Sequence, residues 1–275
     1  MKNKVVIVGA GISARIAKFF YPESIMIAPS ITNNPFFYLW QTKDTLRFVK
    51  QFKLSFTKKI IKSMRIGSNV EKYNVLTYKP RDNKPSKGLT EIKTLVINDK
   101  RLINANIDYI NTIVSIDTDS HTILLDNNKV LSFKKLIWTA PINFRLNNKI
   151  YRAKYSPISF IRCYSEKELF SEDYCYTFLD SFLDAGIYRI SRKEDYYTFE
   201  IARSYNNLER AKSFIRIVFP EIICGNIYTY TTGHIVTKIN VPKCDDILYL
   251  GRNAQMERKI MAHDVVSKLY EVTSK

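Results

Sequence analysis

Lys4-Val-Val-Ile-Val-Gly-Ala-Gly-Ile-Ser-Ala-Arg-Ile-Ala-Lys-Phe-Phe20 decides the fold. The run Val5 to Val8 is β-branched and continuously apolar, as a strand covered on both faces of a parallel sheet must be, and Gly9-x-Gly11-x-x-Ala14 follows with no spacer. Gly9 permits a tight turn. Gly11 lets the backbone approach a pyrophosphate with no side chain in the way, and Ala14 is small enough for the helix to pack closely on the strand. The helix N-terminus would then present free N–H groups and the positive end of its dipole to the phosphates. The stretch predicts strand, glycine turn and helix, with a dinucleotide as the ligand. A tight strand-helix turn in an unrelated α/β fold is the alternative.

Outward from this block, the next strand, Ser24-Ile-Met-Ile-Ala-Pro29, ends without the Asp or Glu that normally takes the ribose hydroxyls. Ser30, Thr32 or Asn33 offers a neutral hydrogen bond instead. From Asn106 to Pro141 short strands alternate with turns: Ile107 to Ile110, Ile113 to Ile116, Thr122 to Leu125, Val130 to Phe133 and Leu136 to Pro141. Tyr151 to Glu200 is aromatic-rich, and the alternation at Tyr188-Arg-Ile-Ser and Tyr196 to Ala202 predicts an antiparallel sheet in a second domain. Leu208 to Val218 reads as a helix closed by Pro220. A last amphipathic helix is expected from about Asn253 to Tyr270, with Met256, Ile260, Met261, Val265, Val266 and Leu269 at helical spacing.

Three blocks now stand in order: Val6-Ile-Val-Gly-Ala-Gly-Ile-Ser-Ala14, Leu136-Ile-Trp-Thr-Ala-Pro141 after a hairpin, and Leu248-Tyr-Leu-Gly-Arg-Asn253 before a helix. Together they resemble FAD-dependent enzymes of the amine oxidase and protoporphyrinogen oxidase superfamily. The ending Gly251-Arg252 followed by Met261 and Asp264 looks like UDP-galactopyranose mutase. The resemblance implies an α/β chain: a Rossmann-like FAD-binding domain from residues 1–50, 105–145 and 240–275, and an inserted antiparallel-sheet substrate domain from 51–104 and 146–239. It implies that the loop Gly9-Ala10-Gly11-Ile12-Ser13-Ala14 lines the FAD pyrophosphate. Ser30 would lie on the ribose side, Val114 near the adenine, and Thr139 and Pro141 beside the dinucleotide. Gly251 and Arg252 would face the flavin or the pyrophosphate at the start of the last helix, where a guanidinium can pair bidentately with phosphate.

Composition bounds the rest. The 275 residues, 45% of them hydrophobic with only 8 Gly and 9 Pro, suit an ordinary folded chain able to bury a sizeable core, and exclude a mini-protein or a fibrous one. No apolar run approaches the ~20 residues of a bilayer span, so a soluble, intracellular, cytoplasmic protein is expected. Cys163, Cys175, Cys224 and Cys244 are far apart in sequence and form no Cys-x-x-Cys pair, which indicates reduced thiols and no metal site. The abnormal quantity is charge: 43 Lys+Arg against 26 Asp+Glu, a formal +17. The excess is dense between Lys43 and Arg101. Nucleic acid, an anionic membrane surface or a phosphorylated substrate could each exploit it. An A+T-rich coding sequence, which inflates Lys, Asn and Ile together, explains the same excess.

A flavin carries its own hydride or electron chemistry, so a flavoenzyme needs no diagnostic triad. His234, between Gly233 and a strand, is the candidate acid-base group, while His121 and His263 read as turn and helix-surface residues. Arg189, Tyr228 and Tyr230 could shape a pocket for a small-molecule substrate. Three functions follow: an FAD-dependent oxidoreductase, a mutase-type non-redox flavoenzyme, and a basic protein acting on or binding nucleic acid through segment 43–101. In the third, Phe36, Phe37, Tyr38 and Trp40 would serve as stacking platforms.

Overall fold

Alternation and its absence sort the strands of this chain. A computed structural model describes residues 4–30, 38–77, 90–103, 106–169, 174–193, 195–202, 205–257 and 259–274. The chain begins β1 (Val5–Val8), α1 (Ile12–Phe20), β2 (Ile25–Ala28), β3 (Tyr38–Trp40), α2 (Lys43–Gln51), β4 (Phe56–Gly67), α3 (Val70–Thr77), β5 (Thr90–Ile97) and α4 (Lys100–Ile103). It continues through β6 (Tyr109–Ile110), β7 (Ile113–Asp117), β8 (Thr122–Leu125), β9 (Val130–Ser132), β10 (Lys135–Trp138), β11 (Asn143–Leu146), β12 (Lys149–Arg152) and β13 (Lys154–Tyr164). The last part holds β14 (Tyr174–Leu179), α5 (Ser181–Asp184), β15 (Ile187–Lys193), β16 (Tyr196–Ala202), α6 (Tyr205–Val218), β17 (Ile223–Thr237), β18 (Ile247–Tyr249) and α7 (Ala262–Thr273).

Two compact units result, one of residues 1–58, 94–153 and 237–275, the other of 59–93 and 154–236. In the first, a five-stranded sheet has the order β18-β10-β1-β2-β6, with every pair parallel. Val6, Ile7, Leu136 and Ile137 have no solvent exposure, which is why these strands read as unbroken apolar runs. Helix α1 buries Ala14, Ile16 and Ala17, and its Phe20 ring meets Phe48, Phe52 and Tyr270. α2 is closed at its start by a capping box in which the Thr45 N–H donates to Thr42 Oγ1 and the Thr42 N–H to Thr45 Oγ1. A second five-stranded sheet, β12-β11-β7-β8-β9, is antiparallel except where β11 meets β7.

The remaining sheet has the order β17-β13-β16-β15-β14-β4-β5-β3. Strands β13, β16, β15, β14 and most of β4 belong to the second unit, and β4 and β5 carry the chain between the two units. One face of this sheet is apolar. Ile161, Ile190, Phe199 and Ile201 pack there with Leu208, Ala211 and Ile215 of α6.

The expected α/β class, with a Rossmann-like parallel sheet and antiparallel sheets, is the observed one. The last helix is a correction: residues 252–256 form turns and α7 begins only at Ala262. Met256 has a positive φ of 53°, incompatible with a helix through it, although its side chain is buried as its apolar character requires. The four cysteines are free thiols, and two that are distant in sequence meet in the fold, Cys163 Sγ lying 3.5 Å from Cys224 Sγ. His263 lies on α7 as expected of a helix residue but is half-buried there: its ring stacks on Trp40 with centroids 4.7 Å apart, and burial pulls its pKa down. Among the described residues no helix is long and apolar enough to cross a membrane.

Candidate cofactor site

Gly9 ends β1 with a φ of +120°, and its N–H donates to the Ile27 carbonyl at 2.8 Å, so the turn begins while still bonded to β2. A Cβ there would strike Thr139 Oγ1. Thr139 is fixed in turn, donating from both its N–H and its hydroxyl to the Val8 carbonyl, at 2.9 and 2.7 Å. Glycine is therefore demanded twice at position 9, by backbone conformation and by space.

Gly11 is demanded by neither. As N-cap of α1 it has a φ of −71°, open to any residue, and a Cβ added to it would meet nothing within 4 Å. No side chain caps the helix and its first turn carries no acid. The early N–H groups of α1 thus border open space, as an anion cradle requires. Behind the loop, Arg15 is 3% exposed; its Nε donates to the Ala10 carbonyl at 3.0 Å and a terminal nitrogen to the Leu102 carbonyl at 3.1 Å. This arginine holds the Ala10 peptide from inside, a role that sequence reasoning missed because no loop signature marks it.

The far end of the chain meets the same helix. Gly251, with a φ of +86°, packs so closely on Ser13 that a Cβ would meet the Ser13 Oγ and Cβ. Its N–H donates to Gln255 Oε1 at 3.1 Å and its carbonyl accepts from the Gln255 N–H at 3.0 Å, closing the turn that follows β18. Arg252 is half-buried, with a terminal nitrogen 3.5 Å from Met261 Sδ. The structure brings Thr139 against Gly9 and Gly251 against Ser13, while Gly251 and Arg252 open a turn rather than the last helix. Pro141 is half-buried just beyond β10.

On the expected ribose side Ser30 is exposed past the end of β2, and Thr32 and Asn33 lie outside the described residues. Ala28 is level with Ile110 of β6, and the Asn111 N–H donates to the Ala28 carbonyl at 3.0 Å. Asn111 Nδ2 in turn donates to Asp126 Oδ1 at 2.7 Å, and the pull of Asn111 and of the Thr112 N–H holds that carboxyl below its ordinary range. Ile110 and Val114, 56% and 45% exposed, offer apolar surface on this side.

No protein-family profile and no curated protein matches this sequence. Solved structures do. A reduced UDP-galactopyranose mutase aligns over 100% of this chain and 94% of its own, with a TM-score of 0.58 and 11% identity. A geranylgeranyl bacteriochlorophyll reductase-like protein from Thermoplasma acidophilum aligns over 98% and 77%, with a TM-score of 0.59 and 16% identity. A flavin-dependent halogenase from Xanthomonas campestris aligns over 99% and 70%, with a TM-score of 0.60 and 8% identity. The chain shares the fold of these three proteins, a Rossmann-like parallel sheet joined to antiparallel strands.

In the second unit His234 of β17 is 3% exposed, with its ring 5.6 Å from that of Tyr188. The Tyr188 hydroxyl donates to Glu200 Oε2 at 2.7 Å, and Arg189 donates from Nε to Glu200 Oε1 and from a terminal nitrogen to Oε2, both at 2.5 Å. Burial raises the Tyr188 phenol well above its ordinary range. A bulge between Ile187 and Arg189 lets both neighbours reach one carboxylate, which strict alternation forbids. Tyr228 and Tyr230 lie on β17, and their side chains are outside the described ones.

The basic segment divides. On α2 the Arg47 guanidinium lies 4.3 Å over the Tyr270 ring, and Arg101 pairs with Asp99 at 2.7 Å. Lys72 pairs with Asp184. Lys79, Arg81, Lys84 and Lys87 lie outside the described residues, as do Phe36 and Phe37.

Proposed function

We propose that this chain is an FAD-dependent oxidoreductase of the amine oxidase and protoporphyrinogen oxidase type, holding FAD on its first unit and acting on a small molecule. The observation that carries this is Gly11: a helix N-terminus with no side-chain cap, reached through a glycine turn locked by Thr139, with open space where its Cβ would stand. The N–H groups of Ile12 and Ser13 would bind the pyrophosphate, Arg15 would keep the Ala10 carbonyl turned away from it, and Gly251 would bring Arg252 to the same helix end. Ile110 and Val114 would take the adenine side and Ser30 a ribose hydroxyl, with no carboxylate on β2. FAD, when bound, supplies the hydride or electron transfer. His234 is the group assigned to hold or move a proton.

The test is the visible spectrum of freshly purified protein, followed by denaturation and identification of what is released. Flavin absorbance with released FAD is expected, and a colourless protein that takes up no added FAD would end the assignment. Substrate-dependent bleaching without oxygen then separates an oxidoreductase from a mutase, which requires prior reduction and shows no net redox turnover.

A further inference from the structure

Two thiols that are 61 residues apart in the chain face each other across neighbouring strands of the second unit. Cys163 lies near the end of β13 and Cys224 near the start of β17, the strand that ends the long sheet. The two strands run antiparallel: Gly225 stands against the Arg162 carbonyl, and further along the Ser159 hydroxyl is 3.1 Å from that of Thr229. Cys224 therefore falls opposite Cys163. Opposed Cα atoms of antiparallel strands are about 4.5 or 5.5 Å apart, within the roughly 4.4–6.8 Å that a disulfide spans. The sulfurs stand 3.5 Å apart with the Cys163 thiol directed at Cys224 Sγ, so about 1.5 Å of approach, the scale of a small side-chain rotation, separates this contact from a bond of roughly 2.05 Å.

Their surroundings divide the roles. Cys163 has no solvent exposure and packs with Ile161, Ile215 and Ile222 beneath α6. Burial, and then the neighbouring Cys224, raise its pKa, so it rests as a thiol. Cys224 is half-exposed on the edge strand, just after the tight turn in which the Ile222 N–H donates to the Phe219 carbonyl. A reagent from solvent reaches Cys224 first, with Cys163 already behind it. The other two cysteines are placed differently: Cys175 lies on β14 near Arg189 and Glu200, and Cys244 lies near Tyr249 in the other unit.

We propose that Cys163 and Cys224 form a peroxide-reactive pair that closes reversibly into a cross-strand disulfide, with Cys224 as the attacking sulfur and Cys163 as the resolving one. Cys224, having lost its proton, attacks one oxygen of hydrogen peroxide; the O–O bond breaks, a sulfenic acid forms, and the departing hydroxide takes up that proton as water. The Cys163 sulfur then attacks Cys224 Sγ, the S–OH bond breaks, and the hydroxyl leaves with the Cys163 proton as a second water. The two thiols lose two electrons and the peroxide gains them. Neither step involves the first unit or a flavin. The bond ties the start of edge strand β17, and through the turn the end of α6, to β13.

The reduced full-length protein, freed of reductant, is treated with a small excess of hydrogen peroxide, blocked with iodoacetamide and mapped by mass spectrometry without reduction. A peptide pair joined through Cys163 and Cys224 is expected, lighter by two hydrogens than the free peptides together, and dithiothreitol should separate it. Cys163→Ala, which leaves the attacking sulfur without its resolver, should accumulate a dimedone-reactive sulfenic acid at Cys224, whereas Cys224→Ala should leave Cys163 unlabelled. Circular dichroism checks that each variant folds, and the wild-type map requires neither. The proposal is overturned if both cysteines remain thiols after peroxide, if Cys224 runs on to the sulfinic acid with no link to Cys163, or if the link joins Cys224 to Cys175, to Cys244 or to a second copy. A dimedone adduct on Cys163 in Cys224→Ala overturns the order of attack.

Discussion

The parallel sheet and the long sheet, in which β14 and β4 run parallel while β13, β16, β15 and β14 are antiparallel neighbours, keep their polar atoms in different places. In the parallel sheet of the first unit the strands are almost wholly apolar, and the polar groups that matter are backbone N–H and carbonyl groups at strand ends, at Gly9, Gly11 and Gly251. In the second unit polar side chains spread across a face, and Arg65, Arg189 and Glu200 come from different strands. A site made of backbone needs the absence of side chains, which leaves glycines at fixed spacing. A site made of side chains on several strands leaves nothing contiguous to read.

Substitutions sharpen this contrast. Gly9→Ala should cost about 3 kcal/mol in chemical denaturation, because φ of +120° and the Thr139 hydroxyl both oppose a Cβ. A loss no larger than that of a surface substitution would mean the turn is free to rearrange. In the second unit Glu200→Gln should cost about 2 kcal/mol, since it weakens two hydrogen bonds from Arg189 and one from Tyr188 at a buried carboxylate. Tyr188→Phe should cost about half of that; equal losses would show that the phenol, and not the guanidinium, orders the face.

Asp99 gives a pH signature in the first unit. It accepts from the Arg101 guanidinium and from the N–H groups of Arg101 and Ser55, and the Arg101 side chain is the main cause that lowers its pKa to about 2. A depressed carboxylate stabilises the fold above its unfolded pKa of roughly 4, and that contribution disappears as the pH falls towards 2. Asp99→Asn should therefore be less stable than the wild type at neutral pH and should converge with it between about pH 4 and pH 2 in thermal melts. Parallel curves would remove the carboxylate from the account.

The smallest stability effect is the most telling one. Gly11→Asp introduces a good N-cap into open space, so folding stability should rise by a few tenths of a kcal/mol while FAD binding is lost to the carboxylate set against the pyrophosphate. Gly9→Ala and Gly11→Asp thus separate a glycine needed by the fold from one needed by the ligand, two residues apart. Retained stoichiometric flavin in Gly11→Asp would sink the cradle.

The sequence disclosed what local physics dictates. Val5 to Val8, Leu136 to Trp138 and Ile247 to Tyr249 announce buried strands by continuous apolarity, and Thr122–Leu125 and Tyr196–Ala202 have the expected bounds. The start of α7 was not legible, because Met256 and Ile260 are spaced as a helix would space them while Met256 is buried by a turn and Ile260 lies half-buried ahead of the helix. Arg15 was hidden for a related reason: its charge suggests solvent, yet two carbonyls receive its guanidinium inside the core. The row from Arg65 to Glu200 and the meeting of Cys163 with Cys224 depend on which strands become neighbours, a property of topology that no window of sequence contains.

The order β18-β10-β1-β2-β6 also sets a timetable. During synthesis β10 can join β1 long before its other edge is covered, since Ile247–Tyr249 lies far downstream of both in the chain. Until then the Leu136–Trp138 edge is an open template for pairing with other chains, and Ser13 lacks the Gly251 turn that packs against it. Nascent or truncated chains that stop short of β18 would be sticky, and the N-terminal end of α1 would be completed only once the Gly251 turn has been made.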